Sequence, residues 1–566
     1  MIINIPNMGI PLFYKILSEK YDNCVSDNLE NVEALFLDMN GLIHPCTSRV
    51  LDENYSHKYK DKYEQKMLFE IENEIKRLYM MNKPKFIYMA IDGVAPASKM
   101  KQQRLRRFKT VLHNKEMEDI YNSCNMPMPS DIWDKNCISP GTEFMEKVSK
   151  HLKQIIFNDP IYKDVTIYLD DSLTPGEGEH KLLEFIRTHS FNEDKNIVIH
   201  GLDADLIMLS MASHQNNIYL LRDQYDEVIY FDIDTMKTNI IQDFKERYFI
   251  GSTNSFLEPE KFISIINDYI FVCFFLGNDF LPHILGIDLR YNGLDIILDH
   301  YVQTYHLMGT SLSVFEKNGT KLNTKFIKTF LSKLNNSYEK MVINVFNKRK
   351  KLRKHFKIRA DDDFERYNNL LNNRPTMINP DEDYIIYDNL HIKKWKNRYY
   401  KKATGEIDKD TINAMCENYI EGLVWVFKYY FEGCSDWEWK YEFHNGPLLS
   451  DLFHYFNNNI FDINKEIILK KNKPCSHYVQ LLCILPIESK DILPIQLHKI
   501  FTDSSLAYMY PGDYKLNTLF KRYYWECEPV LPSFNIQKVK NILASEYKKY
   551  SKRDQSSLII KNREIN

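Results

Sequence analysis

The stretch "IVIHGLDADLIML" (residues 197–209) decides the fold of this chain. An apolar run stops at Gly201, two aspartates, Asp203 and Asp205, follow with one alanine between them, and apolar residues then resume. The pattern predicts a buried strand, a sharp exit and a helix. Two negative charges at that exit either start the helix or hold something positive.

The same figure recurs along the sequence. "ALFLD" (34–38) ends in Asp38, "FIYMAID" (86–92) in Asp92, and "VTIYLDD" (165–171) in two acids. Runs apolar at nearly every position are expected of strands covered on both faces, hence of a parallel sheet flanked by helices. Between them, "KMLFEIENEIKRLYMM" (66–81) carries apolar residues at 68, 71, 75, 78 and 79, a helical stripe. Strand and helix alternate, so the fold class is α/β. Open parallel sheets bind ligands beyond the carboxyl ends of their strands, where Asp38, Asp92, Asp203 and Asp205 are expected to gather. One Asp there can be an N-cap or a turn former, but several at equivalent strand ends point to a site. "PGEGEHKLLEFIR" (175–187) adds Glu177 and Glu179 at the start of an amphipathic helix. "LGNDFLPH" (276–283) adds Asp279 after a hydrophobic one.

Carboxylates so gathered repel: at an effective dielectric of ~20, each like pair ~5 Å apart costs on the order of 3 kcal/mol. Divalent cations relieve that repulsion. All-oxygen donors without Cys or clustered His select Mg²⁺ or Mn²⁺ over zinc. Two such ions suit phosphodiester hydrolysis, one activating water and one stabilising the leaving oxygen.

Just past Asp92 comes "GVAPASKMKQQRLRRFK" (93–109). If helical from about residue 98, it places Lys99, Gln103, Arg106 and Arg107 at i, i+4, i+7 and i+8, a stripe ~100° wide. Lys101 and Arg104 are expected to point elsewhere, to solvent. Arginine forks and a lysine around one spot make a receptor for a terminal phosphate, while a solvated charged face is the plainer reading. His44, in "DMNGLIHPC" (38–46), is either structural or a ring on which a base stacks.

The whole chain sets bounds. Its 566 residues suffice for a large core and two or more structural units. A net charge of −3 gives no global attraction to nucleic acid, so any such binding rests on local patches. No membrane span or signal peptide is read, and no membrane partner is expected. Ten cysteines without a C-x-x-C pair argue reduced thiols in an intracellular protein.

At these residues the chain resembles the Xrn family of 5′→3′ exoribonucleases. The similar stretches are "MGIPLFYKILSEKY" (8–21), "LDMNGLIHPC", "IDGVAPASKMKQQRLRRF", "CISPGTEFM" (137–145), "PGEGEHK", "GLDADLI" and "FFLGNDFLPH". A second set is "YIEGLVWVFKYYFEGCSDWEWKYEFHNGPLLSDL" (419–452), "LLCILP" (481–486) and "YWECEPVLPSF" (524–534). The resemblance implies a FEN/PIN-like core and a processive, two-metal enzyme that takes single-stranded RNA with a 5′ monophosphate to mononucleotides. It implies that Asp38, Asp92, Glu177, Glu179, Asp203, Asp205 and Asp279 form the acidic, metal-holding cluster. It further implies that Lys99, Gln103, Arg106 and Arg107 bind the 5′ phosphate, and that His44 stacks on a base. An aromatic of the second set would face it, with Trp437 and Trp439 the candidates; alternation puts both on one side of an extended segment, as core or as stacking surface. The sequence departs from the family in seven residues ahead of "MGIP" and in "APASKMK" at 97, 98 and 101. It shows neither the long C-terminal region of the large cytoplasmic branch nor a zinc knuckle.

The expected organisation is a nuclease core over 1–305, a polar, irregular and variable helical or linker region over 306–415, a mostly helical second region over 416–545 packed on the core, and a frayed tail over 546–566. The basic run "NKRKKLRKHFKIR" (347–359) meets "DDDFE" (361–365); it is a charge-compensated linker helix, a localisation signal or an RNA contact. The leading function is RNA decay by a cytoplasmic, monomeric exoribonuclease. A structure-specific flap endonuclease and an inactive RNA-binding scaffold are the alternatives.

Overall fold

The computed structural model describes residues 13–51, 55–127, 131–201, 203–224, 227–249, 257–316, 319–386, 394–458, 462–467 and 469–548. The start of "MGIPLFYKILSEKY", the seven residues ahead of it and nearly all of the tail (549–566) lie outside the described residues.

Seven strands form the central sheet: β1 (Val25–Ser26), β2 (Val32–Asp38), β3 (Phe86–Ala90), β4 (Thr166–Asp170), β5 (Asn196–His200), β6 (Ile218–Gln224) and β7 (Glu227–Asp232). Their order is β1-β7-β6-β5-β2-β3-β4. Strands β6, β5, β2, β3 and β4 run parallel, and β7 and β1 join by antiparallel pairing. The mostly parallel α/β sheet expected from the sequence is present. Strand β2 lies between β5 and β3, with Leu37 opposite His200 and Asp38 opposite Ala90. Asp38 therefore stands level with the ends of both neighbours.

The two periodic sets of β2 serve two cores. Leu35 and Leu37 join Ile87, Met89 and Val198 under the helix Lys60–Asn82, through its Met67, Ile71, Ile75 and Leu78. Ala34 and Phe36 join Tyr88, Ile197 and Ile199 under the helices Gly178–Thr188 and Asp205–Ala212. One strand departs from the both-faces reading. "VTIYLDD" supplies β4, an edge strand with Thr166 and Tyr168 exposed, because its apolar residues alternate with polar ones.

The second core continues without a break into a largely helical region. Residues of Phe262–Cys273, Thr324–His355 and Lys409–Glu432 belong to the same apolar cluster as Phe36. The stretch 306–415, expected as a polar, variable helical or linker region, holds four complete helices among its described residues, of which Thr324–His355 has 32 residues. Its polar residues mask a buried stripe: Phe326, Phe330, Leu334, Tyr338, Val342 and Val345 recur every three or four positions. The basic run closes that helix. Arg349 makes a buried fork to Glu382 at 2.9 and 2.8 Å, and Arg353 reaches the same carboxylate. Compensation thus comes from Glu382, whereas Asp362 of "DDDFE" caps the next helix. All ten cysteines are free. Among the described residues no helix is long and apolar enough to cross a membrane.

Candidate active site

Three adjacent parallel strands deliver the first acids. Asp38 ends β2 and caps the helix Met39–Val50, accepting from Asn40 N–H at 3.2 Å. Asp92 follows β3, and its Oδ1 accepts from Gly178 N–H at 2.6 Å. The Asn40 side chain accepts in turn from Asp92 N–H at 3.2 Å. Gly178 wedges between the two carboxylates: a Cβ there would lie 3.0 Å from Asp38 Oδ1 and 3.3 Å from Asp92 Oδ1. Its neighbours Glu177 and Glu179 are thereby brought to the same edge, both buried. Past β5, Asp203 and Asp205 lead into the helix Asp205–Ala212.

A backbone clasp fixes these loops. Gly93 N–H donates to Gly176 O at 2.8 Å, and Gly176 N–H donates to Val94 O at 2.9 Å. The approach is so close that a Cβ on Gly93 would fall 1.8 Å from Thr174 O. Lys181 seals the underside, donating to Ile91 O at 2.8 Å and to Asp170 and Asp171 O at 3.1 Å each. The acid at the end of β4 is therefore structural. Asp279 arrives from the helical region in a tight loop. Gly277 turns it at φ +89°, and Asn278 accepts from Phe280 and Leu281 N–H at 2.9 Å each.

Lys99 lies inside this acidic edge. Its ammonium, on a residue 6% exposed, bridges Glu177 at 2.6 Å and Asp279 at 2.8 Å. Burial opposes its charge, but Asp279, Glu177, Glu179 and Asp203 outweigh burial and hold the group well above the usual lysine range. Glu177 also accepts from Tyr429 OH at 2.8 Å. The acids respond in the opposite sense. Burial, then Asp92 and Asp203, raise Asp38, and burial and Asp279 raise Asp205. Burial raises Glu179, with Glu177, Asp203 and Asp205 adding to it against Lys99. Asp203 is raised to about 6 by burial and Asp279, again against Lys99.

Among the described residues, no group of three His, Cys, Asp or Glu side chains is arranged to hold a metal ion as the side chains stand. The donor chemistry nonetheless fits a hard cation. Glu179 Oε2 and Asp205 Oδ1 are buried carboxylate oxygens without a hydrogen-bond partner, and every acid in the set offers oxygen.

The basic helix spans Ala97–Ser123. Its stripe is graded and does not serve one spot. Lys99 belongs to the acids, and Arg106 interacts with Asp279, Asp203 and Asp92 while burial lowers its pKa. At the far end, Arg107 donates to Asn136 Oδ1 at 2.9 Å, Ser139 Oγ at 2.7 Å and Gln103 Oε1 at 3.5 Å. Burial and then Arg106 lower Arg107 to about 9. His44 faces the same charges: burial, Arg106, Lys135 and Arg107 depress it to about 3, so the ring is neutral near pH 7.

The two tryptophans part company. Asp436 accepts from Glu438 N–H at 3.0 Å and Trp439 N–H at 3.2 Å, and this turn removes the alternation that would have put both rings on one side. Trp439 is 9% exposed, stacks on Trp425 with ring centroids 5.2 Å apart, and belongs to the core. Trp437 is half-buried beside the basic helix, its carbonyl accepting from Ala97 N–H at 2.9 Å. Sequence reasoning missed Asn40, Gly178, Tyr429, Asn136 and Ser139. Gly178, inside the quoted "PGEGEHK", carried a signal of its own, since a glycine between two acids suggests close approach, while Asn40, Ser139 and Tyr429 lay within quoted family-like stretches without being singled out.

The family profile described as XRN 5′-3′ exonuclease N-terminus matches residues 8–224, and that described as Xrn1 helical domain matches 260–383 and 379–564. The chain is 28% identical to 5′-3′ exoribonuclease 1 of Schizosaccharomyces pombe, over 96% of this chain and 49% of that protein. It is 30% identical to 5′-3′ exoribonuclease 1 of Homo sapiens, over 93% of this chain and 33% of that protein. It is 28% identical to 5′-3′ exoribonuclease 2 of Gallus gallus, over 95% and 70% respectively. The chain thus spans half or less of the length of the first two relatives.

Proposed function

Because the chain belongs to the XRN 5′-3′ exonuclease family, we propose that it is a 5′→3′ exoribonuclease that removes mononucleotides from single-stranded RNA bearing a 5′ monophosphate. One observation carries the reading: a single helix runs from the acidic edge, at Lys99, to the cationic pair Arg106 and Arg107. Lys99 and Arg106 are seven residues apart, about 10 Å along the axis, which leaves room for one nucleotide between a captured end and the reacting phosphate. The spacing makes the helix a ruler.

Asp38, Asp92, Glu177, Glu179, Asp203, Asp205 and Asp279 are the residues that would hold Mg²⁺ or Mn²⁺, two ions in the fullest form of the proposal. Such ions supply water activation and neutralise charge on the leaving oxygen. The chain's own groups do the rest. Lys99 fixes Glu177 and Asp279 relative to each other. Arg106 and Arg107 favour an anion, because desolvation penalises the guanidinium charge of half-buried Arg106 and of buried Arg107. His44, kept neutral, offers an uncharged face to a leading base, and half-buried Trp437 is its counterpart from the helical region. Stacking of this kind tolerates any sequence and excludes an intact duplex. The enzyme would act as a monomer in cytoplasmic RNA decay.

The test is direct. With Mg²⁺, RNA carrying a 5′ monophosphate, a 5′ hydroxyl or a 5′ triphosphate is followed for product size and rate. Mononucleotides released fastest from the monophosphate are expected. Equal rates on all three ends, or cleavage to oligonucleotides at a junction, would overturn the proposal.

A further inference from the structure

Arg107 is held in a manner unusual for a buried guanidinium. The residue is 7% exposed, yet each side-chain group it donates to is neutral: Asn136 Oδ1, Ser139 Oγ and the Gln103 amide oxygen. Buried charges are ordinarily paired with an opposite charge. The bracket is itself braced. Ser139 Oγ donates to Asn136 O at 2.8 Å, and Asn136 N–H donates to Asp134 Oδ1 at 2.8 Å. From the helical region, Ser489 Oγ accepts from Asn136 Nδ2 at 3.0 Å. Asp134 attracts Arg107 from a distance, but the larger influence on the guanidinium after burial is the like charge of Arg106.

We infer that Asn136 and Ser139 form a neutral clamp that sets the specificity for the RNA end: it aims the Arg107 guanidinium while leaving its charge unspent for a terminal phosphate. This rests on the proposed 5′-phosphate reading and identifies Asn136 as a positioning residue acting through Arg107. The physical requirement is narrow. An acidic residue at 136 would satisfy the same hydrogen bond and hold Arg107 more tightly, but it would neutralise the charge a phosphate must find. An alanine would leave the charge and lose the aim.

The inference therefore fixes an order among variants. Asn136→Asp should weaken inorganic phosphate binding, read as the phosphate-induced rise in melting temperature, by about tenfold. It should raise KM for 5′-monophosphate RNA by a similar factor, with a smaller change in kcat. Asn136→Ala should do less on both readouts. A merely structural role gives the opposite order, since Asp keeps the Arg107 bond and Ala does not; that order would overturn the clamp. Should Asn136→Asp fail to fold, a double-mutant cycle decides. In an Arg107→Ala background, Asn136→Ala should have no further effect on phosphate binding, and an additive loss would reject action through Arg107. Failure of the underlying reading looks different: wild type itself would then show no phosphate-induced stabilisation and no preference between RNA ends.

Discussion

Asp203 and Asp205 face a repulsion that folding alone does not relieve, and this separates their roles in activity and stability. Asp203→Asn or Asp205→Asn should cut mononucleotide release in Mg²⁺ by about 100-fold or more, through loss of metal-holding charge. In chelator at pH 7, Asp203→Asn should be more stable than wild type by about 1–3 kcal/mol, read from urea unfolding. The sign follows from protonation. With a folded value near 6, Asp203 binds its proton more tightly folded than unfolded, so its contribution is lost as pH rises through 6. His44 works in reverse. Depressed to about 3 in the fold, it takes up a proton below pH 6.5 only in the unfolded chain, so stability falls as pH drops from 6.5 toward 3. His44→Gln should flatten that acid-side slope in unfolding curves taken between pH 4 and 7, and an unchanged slope would contradict the neutral ring.

At the scale of elements, the strand ends were legible because hydrophobic runs broken by Asp are visible in one dimension. Asp38, Asp92, Asp203 and Asp205 were placed by that logic alone, and the sheet order puts β5, β2 and β3 side by side. What closes the loops was not legible. The Gly93–Gly176 and Gly176–Val94 bonds join residues some 80 positions apart, and no periodicity announces such a pairing. It yields a sharp prediction. Gly93→Ala should destabilise the protein by roughly 3 kcal/mol, since a methyl cannot share space with the Thr174 carbonyl. Thermal melting of the variant checks this, and an unshifted midpoint would mean the clasp opens at little cost. The tryptophan pair shows the opposite failure. Alternation was a sound rule for an extended segment, but the Asp436 side chain makes the segment a turn.

For the molecule as a whole, the amphipathic stripe of Thr324–His355 is diluted in the sequence by surrounding polar residues, whereas the packing of the second region on the core, expected from the sequence, is present. Tyr429 donates to Glu177, the Trp437 carbonyl accepts from Ala97, and the Gln480 side chain accepts from Ala95 N–H at 2.7 Å. Arg104, expected to face solvent, is instead buried and crosses the boundary to the carbonyls of Cys483 and Met509. A fragment of residues 1–305 should consequently show no cooperative unfolding transition and no nuclease activity. Calorimetry of that fragment tests the point, and a sharp transition would show that the sheet half folds alone. The same cross-links have a consequence in time. During synthesis, Asp279 emerges about 200 residues before Gln480. At 5–20 residues per second that gap lasts roughly 10–40 s. For about the first three-quarters of it, until Tyr429 and Trp437 follow, the nascent chain carries every acid of the site but not the partners that seat Glu177 and the start of the basic helix. A site assembled in this order stays incomplete on the ribosome until the helical region has followed the sheet.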